Sequence, residues 1–170
     1  MTHPRCKTKY SLDGLTSIFH YNGIIKEAVK TLKYRLVTDL AQEFASLVPS
    51  VDFVDSILVP IPLHPSRFRD RGFNQAEVLG WPLADRLLIP IRTDILRRVK
   101  ATTPQVEMKD KKERLKNMKD VFSINKEAMK YCNNVLLFDD VFTTGATMQA
   151  AGETLKRAGA TFVWAVTMAR

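Results

Sequence analysis

A chain of 170 residues with 45% hydrophobic content is long enough for one domain with a substantial core. No stretch approaches the roughly 20 apolar residues that span a bilayer, and the polar start MTHPRCKTKYSLDG lacks the apolar centre of a signal peptide, so a cytoplasmic protein with no membrane partner is expected. Cys6, Cys132, His3, His20 and His64 have no zinc-like spacing, which argues against a disulfide framework or closed metal site, while a net charge of +8 favours an anionic partner.

From Asn22 to Val48 the apolar residues Ile25, Val29, Leu32, Leu36, Leu40, Phe44 and Val48 recur every three or four positions. This predicts two helices hinged near Arg35 to Thr38, with Asn22 as a cap and Pro49 as the stop. Ser56 to Pro62, SILVPIP, reads as the first core strand. Prolines 60, 62 and 65 remove backbone donors and stiffen the loop that follows, and Arg67, Arg69 and Arg71 come next with Gly72 and Asn74. Forked guanidinium groups on a rigid loop suit pyrophosphate oxygens; a proline-rich surface turn leading into a charged helix start is the plainer alternative.

A helix is predicted from Asn74 to about Leu88, with Ala76, Leu79, Leu83 and Leu87 inward and an interruption at Gly80, Trp81 and Pro82. Residues 89–95, IPIRTDI, can form a strand. Between Arg92 and Lys119 stand ten basic residues against four acids, either a solvated surface or a grip for pyrophosphate or nucleic acid. The long polar part of this stretch has few apolar anchors, which makes mobility an expectation. Val121 to Ile124 reads as a short strand.

Residues 135–147, VLLFDDVFTTGAT, organise the chain. Val135 to Phe138 is an uninterrupted apolar run, as in a strand covered on both faces, with Asp139 and Asp140 at its exit. Thr143, Thr144, Gly145, Ala146 and Thr147 then lead into a helix running from Met148 to Arg157, with Gly159 as its stop. Unpaired amides at a helix start, the positive end of the macrodipole and a close-approaching glycine can hold a phosphate. The adjacent carboxylates can accept hydrogen bonds from sugar hydroxyls or hold hydrated Mg²⁺ through water. Two alternatives stay open here: an ordinary strand–turn–helix joint with capping threonines, and the acidic Mg²⁺ pocket of a receiver domain. TFVWAVTMA supplies a last strand, and strands alternating with helices predict an α/β, doubly wound, mostly parallel sheet with helices on both faces and the ligand at the strands' carboxyl ends.

The FDDVFTTGAT stretch resembles the phosphoribosyl-pyrophosphate (PRPP) motif of the type I phosphoribosyltransferases, and the match covers all thirteen positions of residues 135–147. VPIPLHPSRFRDRGFNQAEVLG, residues 59–80, is similar to the ComF-like branch of that family, associated with bacterial competence and DNA uptake. The resemblance implies a single phosphoribosyltransferase-like domain over 1–170, with residues 1–50 a helical segment packed on it and 97–119 a mobile hood. It also implies Mg²⁺-dependent transfer of ribosyl 5-phosphate to a nitrogen nucleophile, a glycosyltransferase-class reaction that releases pyrophosphate. Asp139 and Asp140 would be the catalytic, ribose-holding pair, and Thr143 to Thr147 would bind the 5′-phosphate. Ile61, Pro62, Leu63 and His64, with Arg67 and Arg71, would bind pyrophosphate through a loop containing a cis or strained peptide; the cis form costs least at Ile61–Pro62.

By the same resemblance Arg97, Arg98, Gln105 and Arg114 belong to the hood, and Mg²⁺ would be held through PRPP and water near Asp139 and Asp140 rather than by direct protein ligands. Longer family members begin with a cysteine-rich zinc module; here only Cys6 stands in the region that joins that module to the catalytic domain, so either the lineage lacks zinc or the start is truncated. A non-enzymatic DNA-uptake factor, holding single-stranded DNA or a helicase on its basic surface, is the alternative function, and a homodimer is an open partner choice.

Overall fold

The apolar run Val135–Phe138 lies in a parallel sheet that carries helices on both faces. The computed structural model describes residues 8–34, 38–48, 53, 55–100, 120–130 and 132–170. In chain order the elements are β1 (Gly14–Phe19), α1 (Gly23–Tyr34), α2 (Thr38–Ser46), β2 (Ser56–Pro60), α3 (Pro65–Arg71), α4 (Gln75–Leu87), β3 (Leu96–Arg98), β4 (Phe122–Ile124), α5 (Lys126–Met129), β5 (Asn134–Val141), α6 (Ala146–Arg157) and β6 (Phe162–Ala169). The sheet order is β1-β6-β5-β2 with every neighbouring pair parallel, and β3 and β4 form a separate antiparallel ribbon.

Successive side chains on a strand face opposite ways, and the two cores divide accordingly. Val135 and Leu137 join Val59, Val163 and Ala165 against Met148, Ala151 and Leu155 of α6 and Leu96 and Phe122 of the ribbon. Leu136 and Phe138 join Leu58, Val166 and Met168 against Ala41 and Phe44 of α2 and Ala76, Leu79 and Leu83 of α4. Each large side chain fully withdrawn from water contributes about 1.5–3 kcal/mol. Gly80 lets α4 settle on this second face, since a Cβ there would lie 3.1 Å from Ile91 and 3.2 Å from Leu58.

These two layers place the site. Leaving β2, the chain passes to α4 on one face; leaving the adjacent β5, it passes to α6 on the other. Neighbouring strands whose connections part in this way open a crevice at their carboxyl ends.

The sequence expectations need correction at several points. β1 was not anticipated. Residues 89–95 do not form a strand: Leu58 bridges only Ile91, flanked by Leu58 N–H to Pro90 O and Arg92 N–H to Leu58 O. Pro90 has no N–H with which to extend the ladder. The helix after Asn74 continues unbroken past Gly80, Trp81 and Pro82. Asp139 and Asp140 are the sixth and seventh of the eight residues of β5, which runs on to Val141. α6 begins at Ala146 instead of Met148. Among the described residues no peptide is cis, so the Ile61–Pro62 bond is trans. The two N-terminal helices are present, while most of the hinge between them, Gln105 and Arg114, and residues 101–119 of the hood lie outside the described residues.

Candidate phosphate and pentose site

β5 pairs Asp139 with Thr167 and Val141 with Ala169 of β6, after which Phe142 N–H donates to Ala169 O at 2.8 Å. The chain then turns through Gly145, at φ +76° and ψ −1°, and enters α6. That left-handed conformation favours glycine, and a Cβ there would also lie 2.6 Å from the Phe142 ring. A glycine cap brings no side-chain acceptor to the helix start, and Thr144 Oγ1 is 3.5 Å from Ala146 N, at the limit of a hydrogen bond. The first-turn amides of a 12-residue helix therefore stand beside the carboxyl end of β5, a suitable cradle for an anion. Gly145 and Ala146 are buried, Thr144 and Thr147 half-buried, and Thr143 exposed.

The two half-buried acids straddle the end of β5. Strand alternation carries Asp139 to the α6 side with Val135 and Leu137, and Asp140 to the α4 side with Leu136 and Phe138. Asp139 Oδ1 accepts from Asp140 N–H at 2.9 Å, and Asp140 Oδ1 accepts from Val141 N–H at 2.7 Å. Each carboxylate is thereby fixed to the backbone of the strand end.

Across the crevice, the loop after β2 is tied at both polar groups of one residue. Ile61 N–H donates to Phe138 O at 2.8 Å, and Ile61 O accepts from Asn74 Nδ2 at 3.0 Å. Asn74, only 3% exposed, also caps α4 through Ala76 N–H and reaches Glu77 Oε1 at 3.1 Å. His64 caps α3: its Nδ1 accepts from Ser66 N–H and lies 2.7 Å from Ser66 Oγ. Pro62 and Leu63 complete the loop, both half-buried. Arg71 Nη1 donates to Gln75 Oε1 at 3.0 Å, so this arginine braces α3 against α4.

The arginine pair of β3 separates into two roles. Arg97 is exposed, whereas Arg98 follows buried Leu96 inward and stacks over Phe122, 5.7 Å from the ring centroid. Burial lowers the Arg98 pKa, the nearby Arg67 lowers it further, and Asp139 partly offsets both. An arginine remains charged at neutral pH all the same. Arg67 from α3, Arg98 from the ribbon and Asp139 from β5 are thus electrostatic neighbours at one mouth. Sequence reasoning treated Arg97 and Arg98 alike; alternation on a strand was the signal that distinguishes them. It also left Asn74 without its role as a brace, since no local pattern reveals a contact to a carbonyl thirteen positions away.

For a divalent cation the donor set is sparse. Among the described residues no cluster of three or more His, Cys, Asp or Glu side chains could hold a metal. Two carboxylates at the strand end fit Mg²⁺ carried on a phosphorylated ligand, the usual arrangement for an ion that keeps several waters. Among the described residues, no helix is long and apolar enough to cross a membrane.

Residues 74–170, which include β5, its turn and α6, match the phosphoribosyl transferase domain model. The chain is similar to competence protein ComFC of Bacillus subtilis, with 33% identity over 84% of this chain and 58% of that protein. It is also similar to competence protein F of Haemophilus influenzae, at 38% identity over 60% of this chain and 44% of that protein, and to DNA utilization protein YhgH of Salmonella typhimurium, at 29% over 88% and 68%. The chain thus spans about half the length of the first two of these relatives. By its matched domain and these relatives, the chain belongs to the phosphoribosyl transferase domain family, in its ComF-like branch.

Proposed function

We propose that this protein binds PRPP and transfers its ribosyl 5-phosphate to a nitrogen nucleophile, releasing pyrophosphate. The observation that carries this reading is the Gly145 turn, which sets the start of α6 beside Asp139 and Asp140 at the carboxyl end of β5. In this reading Thr143 to Thr147 hold the 5′-phosphate, and a pentose seated over the strand end meets Asp139 from one side and Asp140 from the other. Ile61 to His64 and Arg67 receive the pyrophosphate, with Arg71 holding α3 in place and Arg98 adding charge from the ribbon. Arg97 adds charge beside the site, and the hood expected over 97–119, whose Gln105 and Arg114 lie outside the described residues, is given the task of keeping water from the reactive carbon.

The C1–O bond breaks with both electrons departing on pyrophosphate. The acceptor's nitrogen lone pair then forms the C1–N bond, and the nitrogen loses its proton to solvent. Fixed cationic and amide groups around the leaving charge lower the barrier without reorganising during the reaction. Asp139 and Asp140 would hold Mg²⁺ through water and the bound PRPP, and the ion would supply further neutralisation of the departing pyrophosphate.

Titration calorimetry with PRPP and Mg²⁺ tests the reading, followed by a pyrophosphate-release screen over nucleobases. Binding should require Mg²⁺ and disappear in Asp139→Asn/Asp140→Asn; undiminished binding in that variant refutes the assignment. The competence and DNA utilization names of the relatives, with the basic run between Arg92 and Lys119, support a second reading, a DNA-uptake factor binding single-stranded DNA or a helicase. Its mark is steep loss of affinity for single-stranded DNA between low and moderate salt.

A further inference from the structure

The opposite end of the sheet holds a second concavity. A cavity of about 400 Å³ opens where α5 and the last turn of α6 meet the start of β5. Lys126, Lys130 and Arg157 line it together with Asn133, over apolar Ile124 and Met129, and no carboxylate is among its lining residues. Asn133 precedes β5, and the six steps from there to Asp139 span about 20 Å of strand. The cavity is therefore distinct from the crevice between β2 and β5.

Its electrostatics favour an anion even though it adjoins a helix C-terminus. Three carbonyls near the end of α6 are occupied: Thr154 O and Leu155 O accept from Ala158 N–H, Leu155 O also from Ala160 N–H, and Lys156 O from Gly159 N–H. Arg157 is held by Glu153 Oε1, at 3.1 Å from Nε and 2.7 Å from Nη2, and by the Tyr10 ring at 4.5 Å. Glu153 neutralises part of that charge, and the exposed Lys126 and Lys130 stand beside it on the same cavity wall. The volume lies near the lower end of the range for small-molecule sites, about 300–1,000 Å³, and the apolar floor offers a surface for a ring.

We propose that this cavity binds a small phosphate ester with a planar or apolar body, of the class of a nucleoside monophosphate, with the phosphate between Lys126 and Lys130 and the ring on Ile124 and Met129. The test is fluorescence anisotropy of the full chain with a fluorescently labelled AMP, competed by unlabelled AMP, GMP, UMP and inorganic phosphate. In the Asp139→Asn/Asp140→Asn background, which disables the crevice, labelled AMP should still bind, and adding Lys126→Ala/Lys130→Ala should weaken that binding by about tenfold or more. Both lysines are exposed, so their loss leaves the core intact, which thermal unfolding checks. Competition by inorganic phosphate alone as effective as by the nucleotides overturns the ring contact. Absence of binding tighter than about 1 mM for every mononucleotide overturns the site, as does loss of less than about threefold in the lysine variant. Binding abolished only in the aspartate variant assigns the nucleotide to the PRPP crevice and overturns it equally.

Discussion

Gly145→Ala bears most directly on how the turn between β5 and α6 is built. A residue with a Cβ is penalised by about 1–2 kcal/mol in the left-handed region that Gly145 occupies at φ +76°. The new Cβ would also lie 2.6 Å from Phe142 Cζ and 2.9 Å from Cε2. That ring is restrained, because Phe142 N–H is bonded to Ala169 O and the Arg170 guanidinium lies 5.3 Å from the ring centroid. Overpacking of this kind adds about 1–3 kcal/mol, for a total of about 2–5 kcal/mol. Against a typical domain stability of about 5–15 kcal/mol, this is easily read by urea denaturation at neutral pH. A cycle with Phe142→Ala separates the contributions: the double variant should cost less than the sum of the singles by the overlap, about 1–3 kcal/mol. Full additivity, or a Gly145→Ala variant within about 0.5 kcal/mol of wild type, refutes the reasoning.

Asn74→Ala should destabilise by about 2–4 kcal/mol, since it removes the α4 cap and leaves Ile61 O without its donor; denaturant melts measure this. Asn74→Asp keeps the cap but turns a buried carboxylate toward Ile61 O and Glu77 Oε1 in place of a donor, so at neutral pH it should destabilise at least as much as Asn74→Ala in the same melts. Gly14→Ala drives a Cβ into the Trp164 ring and should lower the thermal midpoint, whereas Gly152→Ala meets Cδ2 and Cγ of the Leu12 side chain, which can rotate aside, and should cost less. Two hydrogen bonds from Arg92, at 2.8 and 2.9 Å, hold the Asp94 carboxyl below its ordinary value. A depressed acid stabilises above its unfolded pKa of about 3.9 and loses that contribution as pH falls through the folded value. The pair is exposed, so Asp94→Asn should cost less than about 1 kcal/mol at neutral pH, and its difference from wild type should vanish on acidification in pH-dependent melts.

What could be read from residues alone follows the strength of local pattern. β5 and β6 are buried on both faces, so their apolar runs stand out, and the 3.6-residue period of α4 and α6 survives even Pro82. β1 is an edge strand, half-exposed along most of GLTSIF, and its pairing depends on Gly14 making room for Trp164, a contact 150 positions away. The Gly145 turn was legible because the residues that form it are contiguous in sequence. The association of Arg67, Arg98 and Asp139 was not, since three separate elements supply it and only the folded ribbon turns Arg98 inward.

The decisive measurement is a crystal structure with ribose 5-phosphate. The account predicts the phosphate within about 3 Å of the amides at Gly145 to Thr147, with the pentose hydroxyls on Asp139 and Asp140. A sugar phosphate lodged solely at the Lys126, Lys130 and Arg157 end of the sheet, with nothing at the Gly145 turn, contradicts it.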